Sequence, residues 1–501
     1  DDGRVADQIQ VLLDEGIVEP AVGPDSYRFR HALMRDAAYE TQVLDLRIRT
    51  HARLAEVLTA RGAEPAVIAE HFDRAGDPAQ AASLYLVAGQ SEQARGAHTE
   101  AARLFTRAIE LLEQVPEAEE RDLQELMARM MRGLSVSSTQ GYAAPEVQAD
   151  HRRAEVLASR LDARLEVLPS LIAIWAYWLT SGDLSTARGL VERLENLVSR
   201  PEFAWFEPEV DSCAGWLDLY RGELGSAREH LERAVTGFNA RPFDQIVSPF
   251  WPLPNDPVAV SEIALACVSA IQGDLEEADR WQVGAIRRSE EVGFPRGPFS
   301  LAFVKTYAAW IQRFLGDHDK ARLLGAEVVG IGQSYGYAYW MLLGSSYVAA
   351  GRPGGAPERG FLEETIANIR LLGQEAFVAS NLSYLAILSH EDGLVEEALS
   401  LVEEALDVVA KTGECLHLPE LLRHRARYSL ELGGAPTEIV ADLREALDES
   451  RRQGAKVAHL RAALAIARLP EEHRPKEWRE WLASARDAVT GAIGEARGAD
   501  E

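Results

Sequence analysis

An all-α chain of repeated antiparallel helix pairs is the fold class that this sequence predicts, and three observations predict it. A glycine, usually followed by Asp or Glu, recurs along the chain with an alanine five residues later. A second small residue stands seven positions before many of those glycines. After the alanine, apolar residues tend to follow at plus four and plus seven, which is one face of an α-helix.

Taken in order, the unit reads Gly76-Asp77 to Ala81, Gly182-Asp183 to Ala187, Gly222-Glu223 to Ala227 and Gly273-Asp274 to Ala278. It continues as Gly316-Asp317 to Ala321 and Gly393-Leu394 to Ala398. Gly96 to Ala101 and Gly351 to Ala356 keep the spacing with other residues between, and Gly434 to Ile439 ends on a bulkier side chain. Glycine ends one helix in the left-handed conformation. The acidic residue after it favours the start of the next helix. The alanine lies where the new helix crosses its neighbour. The small residues Ala69, Gly89, Gly215, Ala266, Ala309, Gly344 and Ala386 give the first helix its own close-contact point. Phe105 with Ala108, Leu231 with Ala234 and Val402 with Ala405 form the apolar face of the second. Trp175 occupies one small-residue position, so that pair is expected to be splayed.

Length and composition bound the function. The 501 residues are 47% hydrophobic and 26% charged, with a formal net charge of −27. This is the composition of a folded chain. An acidic body repels phosphate backbones, so no nucleic-acid partner is expected; basic partners are favoured, although solubility alone accounts for the charge. Cys213, Cys267 and Cys415 lie far apart, which argues against a disulfide framework or a zinc site and fits a reducing, cytoplasmic setting. No secretory leader is visible. The most apolar stretch, Leu168 to Leu179, is too short for a membrane span. Asp1 stands where an initiator Met is absent and already belongs to a helix, which leads us to expect a piece of a longer protein.

Three segments depart from the repeat. Residues 1–60 read as a helix from Val5 to Leu13, a short hairpin through Gly23-Pro24-Asp25, and a helix from His31 through Asp45 to Thr59. This order resembles the closing part of a winged-helix domain, here expected to act as a hinge rather than to read DNA. Residues 241–257 carry prolines that forbid regular helix. Their Phe243, Phe250 and Trp251 either tuck into a groove or cap a gap between repeats. Residues 470–501 form a C-terminal helix and tail.

Trp340, Leu343, Gly344, Tyr347 and Gly351 resemble the first-helix signature of the tetratricopeptide repeat, and Ala101, Phe105 and Ala108 its second-helix signature. The resemblance implies a right-handed superhelix over residues 65–469, with longer and less regular repeats than the family's usual period. The stretch from Tyr27 to Tyr39 resembles the junction after the ATPase core of bacterial STAND signalling NTPases. Ala69 to Asp77, Ala101 to Leu112, Leu443 to Lys456 and Leu460 to Leu469 are similar to the same family. The tail is especially similar to the C-terminal region of multidomain proteins carrying a class III adenylyl or guanylyl cyclase and a P-loop ATPase. Related tails occur in large helix-turn-helix transcription regulators. These likenesses imply a non-catalytic regulatory or sensor scaffold that acts on the ATPase and cyclase modules of its parent. The alternative is the effector-binding arm of a transcription regulator.

No Gly-Lys dipeptide occurs, so the chain lacks a Walker A loop. We expect no cofactor, no metal and no catalytic residue in it. Gly332-Gln-Ser334-Tyr-Gly336 matches a nucleophile-elbow string, which leaves a serine hydrolase using Ser334 as the remaining enzymatic alternative. His31, His51 and His71 stand 20 apart without metal-ligand pairing and are expected at caps or on the surface. In the tetratricopeptide architecture the first helix of each pair lines the concave face, where ligands lie. Residues three and six before each glycine then point inward: Trp216 and Leu219, Trp310 and Arg313, His390, and Tyr428 with Glu431. Tyr220 and His424 lie near the same face. With Phe250 and Trp251 they make a candidate groove for a protein or peptide partner or a small effector, against the reading that Trp216 and Trp310 are packing between repeats.

Overall fold

The computed structural model describes residues 2–488 except 22, 24–25, 142–143, 162–163, 166, 242–250 and 350–355. Its described residues form 24 α-helices and one two-stranded sheet. Two compact units divide the chain, one of residues 1–88 with 107–117 and one of residues 89–106 with 118–501.

The first unit opens with α1 (Asp2–Asp14) and a hairpin of β1 (Val18–Pro20) and β2 (Tyr27–Phe29). The strands are antiparallel, with Val18 opposite Phe29, and an Arg28–Glu19 ion pair at 2.6 Å crosses them. The single long helix expected after His31 is two: α2 (Ala32–Glu40) and α3 (Leu44–Ala60). The break comes at Val43, whose extended backbone starts α3 afresh. Next come α4 (Pro65–Arg74) and the first part of α5 (Pro78–Ala94). The last part of α6 (His98–Leu112) belongs to this unit, where Arg107 holds Asp73 through two bonds of 2.8 Å.

Of the three histidines, His31 is exposed as expected and His51 departs from the surface reading. His51 is buried, with one ring nitrogen 2.8 Å from His71 and the other 3.1 Å from the Tyr39 hydroxyl. Burial, then neighbouring His71 and Arg74, hold the His51 imidazole below its ordinary pKa. His31 precedes α2 without a side-chain capping bond.

The second unit is a succession of antiparallel pairs. They are α7 (Glu119–Gln140) with α8 (Pro145–Arg160), α9 (Val167–Ser181) with α10 (Leu184–Val198), and α11 (Glu207–Tyr220) with α12 (Leu224–Asn239). Next are α13 (Pro257–Gln272) with α14 (Leu275–Val292), and α15 (Arg296–Phe314) with α16 (His318–Tyr335). Then follow α17 (Ala338–Ala349) with α18 (Ala356–Leu371), α19 (Val378–Glu391) with α20 (Val395–Thr412), and α21 (Leu418–Glu431) with α22 (Pro436–Gln453). The last helices are α23 (Lys456–Arg468) and α24 (Trp478–Ala488).

The turns follow the chemistry of the repeat. Gly273 and Gly316 sit at φ 84° and 83°, a region an L side chain enters only with strain. The aspartate after Gly316 caps the next helix, Asp317 accepting from the Lys320 N–H at 3.1 Å, and Asp183 accepts from the Thr186 N–H at 2.9 Å. The alanines five residues on, from Ala81 to Ala398, are buried wherever their side chains are described. A Cβ on Gly215 would stand 2.5 Å from Leu231 Cγ, so only glycine lets α11 and α12 approach this closely. Trp175 is buried, and α9 packs less extensively on α10 than α11 does on α12.

One register differs. The left-handed glycine between α21 and α22 is Gly433, at φ 75°, and not Gly434. Gly434 fills an extra position in that turn. Counting from Gly433 places a buried alanine, Ala426, at the small-residue position that the Gly434 register left to an arginine.

First helices of neighbouring pairs pack on one another, α11 on α13, α13 on α15 and α15 on α17. They form an inner layer, and the second helices lie outside it. α13 is accordingly buried on all sides, whereas α14 buries a single stripe of Ala278, Gln282, Ala285 and Ser289. The inner layer is also closed by later parts of the chain. α23 packs on α13, the Leu416 N–H donates to the Tyr220 carbonyl at 3.3 Å, and the Glu375 N–H donates to that of Thr180 at 3.1 Å. Much of the expected open face is therefore core. No described helix is long and apolar enough to cross a membrane.

Candidate functional site

Of the eleven residues singled out for a ligand groove, five come together around one cavity of about 400 Å³: Trp310, Arg313, His390, His424 and Tyr428. Three inner helices supply them, α15, α19 and α21. The same cavity takes Phe314 from α15, His318 from the start of α16, Ser383, Tyr384 and Ile387 from α19, and Arg461 from α23. α21 and the turn before it add His417, Glu420, Arg423 and Arg427.

Trp216 and Tyr220 lie in an adjoining pocket too small for a ligand. Both are buried in an aromatic cluster, Trp216 edge-on to Phe303 at 5.6 Å and Tyr307 at 4.9 Å. The Tyr220 and Tyr307 hydroxyls share a hydrogen bond of 2.8 Å, and Leu219 is buried beside them. These residues pack the inner layer. Trp251 is buried too; its indole N–H donates to Asn255 Oδ1 at 3.1 Å and its ring meets Phe238 edge-on. It caps a gap between α12 and α13 and does not reach the groove. Phe243, Phe250 and Gly351 lie outside the described residues.

The groove's electrostatics are set by arginine. Arg423 donates to Glu420 at 2.7 Å, and Arg461 approaches the same carboxylate at 3.7 Å. Burial alone raises the Glu420 carboxyl, but Arg423 and Arg461 hold it down at about 2, so it stays ionised. Burial and the neighbouring Arg313 push His417 down to about 4, and burial and Arg423 push His424 well below the ordinary imidazole value. Both rings are neutral at neutral pH. The Arg423 guanidinium donates to His424 Nε2 at 2.6 Å, so Nδ1 carries the proton and finds no acceptor among the described residues. His390 stacks on Tyr428, ring centroids 4.8 Å apart, and meets both oxygens of Glu431 at 2.9 and 2.8 Å.

Arg423, Arg461, His417 and Tyr384 were not anticipated. Arg427 was legible: it stands six residues before Gly433, the inward offset in the correct register. Arg461 reaches the groove from α23, donating to the Phe314 carbonyl at 2.9 Å, and no spacing rule connects those positions.

Ser334 stands in the last turn of α16, and its hydroxyl donates to the Gly330 carbonyl at 2.9 Å. A nucleophile elbow needs a strand-to-helix turn that presents a free hydroxyl. The Gly-Gln-Ser-Tyr-Gly string is instead a helix end, with Gly336 as its left-handed cap.

No protein-family model matches the chain. It is 22% identical over 483 residues to an uncharacterized protein of Rhizobium meliloti (strain 1021), an alignment covering 89% of this chain and 44% of that one. The chain thus spans less than half the length of this relative. Among solved structures it is similar to a Rap protein complexed with competence and sporulation factor, at 12% identity and a TM-score of 0.44 over 81% of this chain and 98% of that one. It is also similar to a STAND protein with a tetratricopeptide repeat sensor from Pyrococcus horikoshii, at 11% identity and a TM-score of 0.33 over 82% of this chain and 69% of that one. The described helices are tetratricopeptide-like antiparallel pairs, joined through left-handed glycines and stacked on small residues.

Proposed function

We propose that this chain is a non-catalytic sensor and interaction scaffold that takes an effector or a partner segment into the groove between α15, α19 and α21. One observation carries the reading: aromatic and arginine side chains from the first helices of separate pairs converge on a single cavity of about 400 Å³. Cavities of that size with a few placed polar groups are the usual form of ligand sites. A ligand that touches all three helices couples their relative positions, which is how a repeat stack reports occupancy to whatever is attached to it.

The sequence likeness to STAND-type proteins supports a further step, that the output is the activity of ATPase and nucleotide-cyclase modules in a longer parent. In that role the chain neither hydrolyses ATP nor forms a cyclic nucleotide, and it changes the activity of those modules when present. The test compares ATPase and cyclase rates of the full reading frame with and without this region, and with Ser383→Trp, which fills the groove. Equal rates and equal responses in all three forms would refute the reading. If the arm serves a transcription regulator instead, the same variant alters operator binding and leaves nucleotide turnover unchanged.

A further inference from the structure

Arg313 is the feature of the groove that the fold leaves unexplained. Three described arginines are buried to about nine-tenths, Arg121, Arg313 and Arg423. Arg121 holds the Asp122 carboxylate at 2.9 Å and Arg423 that of Glu420 at 2.7 Å. Arg313 holds no carboxylate among the described residues. Its guanidinium lies over the rings of Tyr347 and Tyr384, at 4.7 and 4.9 Å, and donates to Ser380 Oγ at 2.9 Å and Asn381 Oδ1 at 3.4 Å. Both acceptors are neutral, and they engage two of the five N–H groups that an arginine carries. Rings and neutral acceptors offset part of the desolvation of a buried cation and leave its charge uncancelled.

The surroundings point the same way. Arg313, Arg423, Arg427 and Arg461 line the cavity against Glu391 and Glu420, with Glu431 beside Arg427 at 3.4 Å, which leaves one positive charge over inside a chain whose net charge is −27. A cationic recess in an acidic body concentrates anions locally. Its walls are flat. Trp310 stacks on Phe314 at 5.5 Å with 9° between the planes, and His390 stacks on Tyr428 at 4.8 Å with 21°. A recess of about 400 Å³ has room for a molecule of metabolite size.

Resting on the reading of this groove as a ligand site, we propose that it binds a small aromatic oxyanion, a carboxylate or phosphate ester carried on a flat ring, with the oxyanion on Arg313 and the ring against the Trp310–Phe314 and His390–Tyr428 walls.

The test is calorimetric titration of the whole chain with four probes: benzoate, phenyl phosphate, benzamide and inorganic phosphate. Benzoate or phenyl phosphate is expected to bind, and which of the two binds more tightly identifies the anion. Benzamide, which lacks the charge, and inorganic phosphate, which lacks the ring, bind at least about 10-fold more weakly. Arg313→Gln weakens the bound probe by about 10- to 100-fold. Ser383→Trp leaves Arg313 in place, retains the parent's helical circular dichroism and abolishes binding, so the result does not depend on how well Arg313→Gln folds. Benzamide binding as tightly as benzoate overturns the anion assignment. Inorganic phosphate matching phenyl phosphate overturns the ring. Probe binding unchanged by Ser383→Trp overturns the location. Absence of binding by any probe up to about 10 mM overturns the ligand class. If Ser383→Trp still alters the parent's activity in that case, the groove remains a regulatory site and its ligand is a peptide or protein segment.

Discussion

Gly344→Ala on α17 tests the helix-pair architecture at a backbone-to-backbone crossing. A Cβ at Gly344 would stand 2.8 Å from the Gly325 carbonyl oxygen on α16 and 3.0 Å from both Cβ and Cγ1 of Val328. A Cβ at Gly325 would in turn stand 2.7 Å from the Gly344 carbonyl oxygen and 2.7 Å from Tyr347 Cβ. The two helices therefore touch backbone to backbone, and a carbonyl cannot rotate away as a side chain does. Alanine gains about 1 kcal/mol over glycine inside a helix. Forcing a methyl group into a filled contact costs about 1–3 kcal/mol. The net change is a loss of about 1 kcal/mol, because the helices must part by several tenths of an ångström along a shared seam. Gly189 on α10 is the control, since a Cβ there meets nothing within 4 Å and the propensity gain stands alone. The two substitutions should then differ by about 2 kcal/mol in opposite directions, roughly 30-fold in local opening. Hydrogen exchange read by mass spectrometry over residues 318–349, and over residues 184–198 for the control, measures this directly. Gly344→Ala protected as well as the parent would refute the argument that the pair is held together by missing side chains.

Three further outcomes follow from buried charge. Asp256 is fully buried, caps α13 through the Val258 and Ala259 N–H groups at 3.1 and 3.0 Å, and holds Arg288 at 3.0 and 2.9 Å. Asp256→Asn strands that guanidinium and should cost about 3–5 kcal/mol in denaturant unfolding. Burial raises the Glu414 carboxyl well above its usual range, and one of its oxygens has no hydrogen-bond partner among the described residues. Its folded pKa exceeds its unfolded one, so stability falls as pH climbs past the ordinary carboxylate value. Glu414→Gln lacks that slope and should gain on the parent between pH 5 and pH 8, measured by melting temperature. His151 is buried with no hydrogen-bond partner for its Nδ1 among the described residues, and burial pushes it down to about 3. Below about pH 6.5 the unfolded chain takes up a proton that the folded one refuses, removing up to about 1.4 kcal/mol per pH unit. His151→Leu should therefore flatten the acid side of the stability profile.

The pairs were legible because their determinants are local. Asp183 and Asp317 cap the helices that begin just after them, and the small residues at positions such as 215, 266 and 309 mark crossings with a neighbouring helix. The misplacement at Gly434 arose where two glycines adjoin: spacing to Ile439 favours the second, whereas the first ends α21. The α7–α8 pair escaped the pattern because Ala144-Pro145 opens α8 and no alanine stands five residues after Gly141. For the groove, the inward offsets found Trp310, Arg313 and His390 but also Trp216 and Leu219, which occupy the same offset and are core. The offset specifies which way a side chain faces, and what stands opposite is specified elsewhere in the chain.

The residue pattern alone thus determined an all-helical chain, its turns, its close crossings and the inner-facing side of each pair. Tertiary structure alone decided which part of that side stays open. The turn at Gly182 nests against Glu375 and Thr412, the turn at Gly222 nests against Gln453, and Arg461 bonds to a carbonyl 147 positions earlier. Each pair adds a small rotation to the one before, and the sum over many pairs sets which segments meet. A cavity between α15, α19, α21 and α23 is a property of that sum, and no short stretch of sequence contains it.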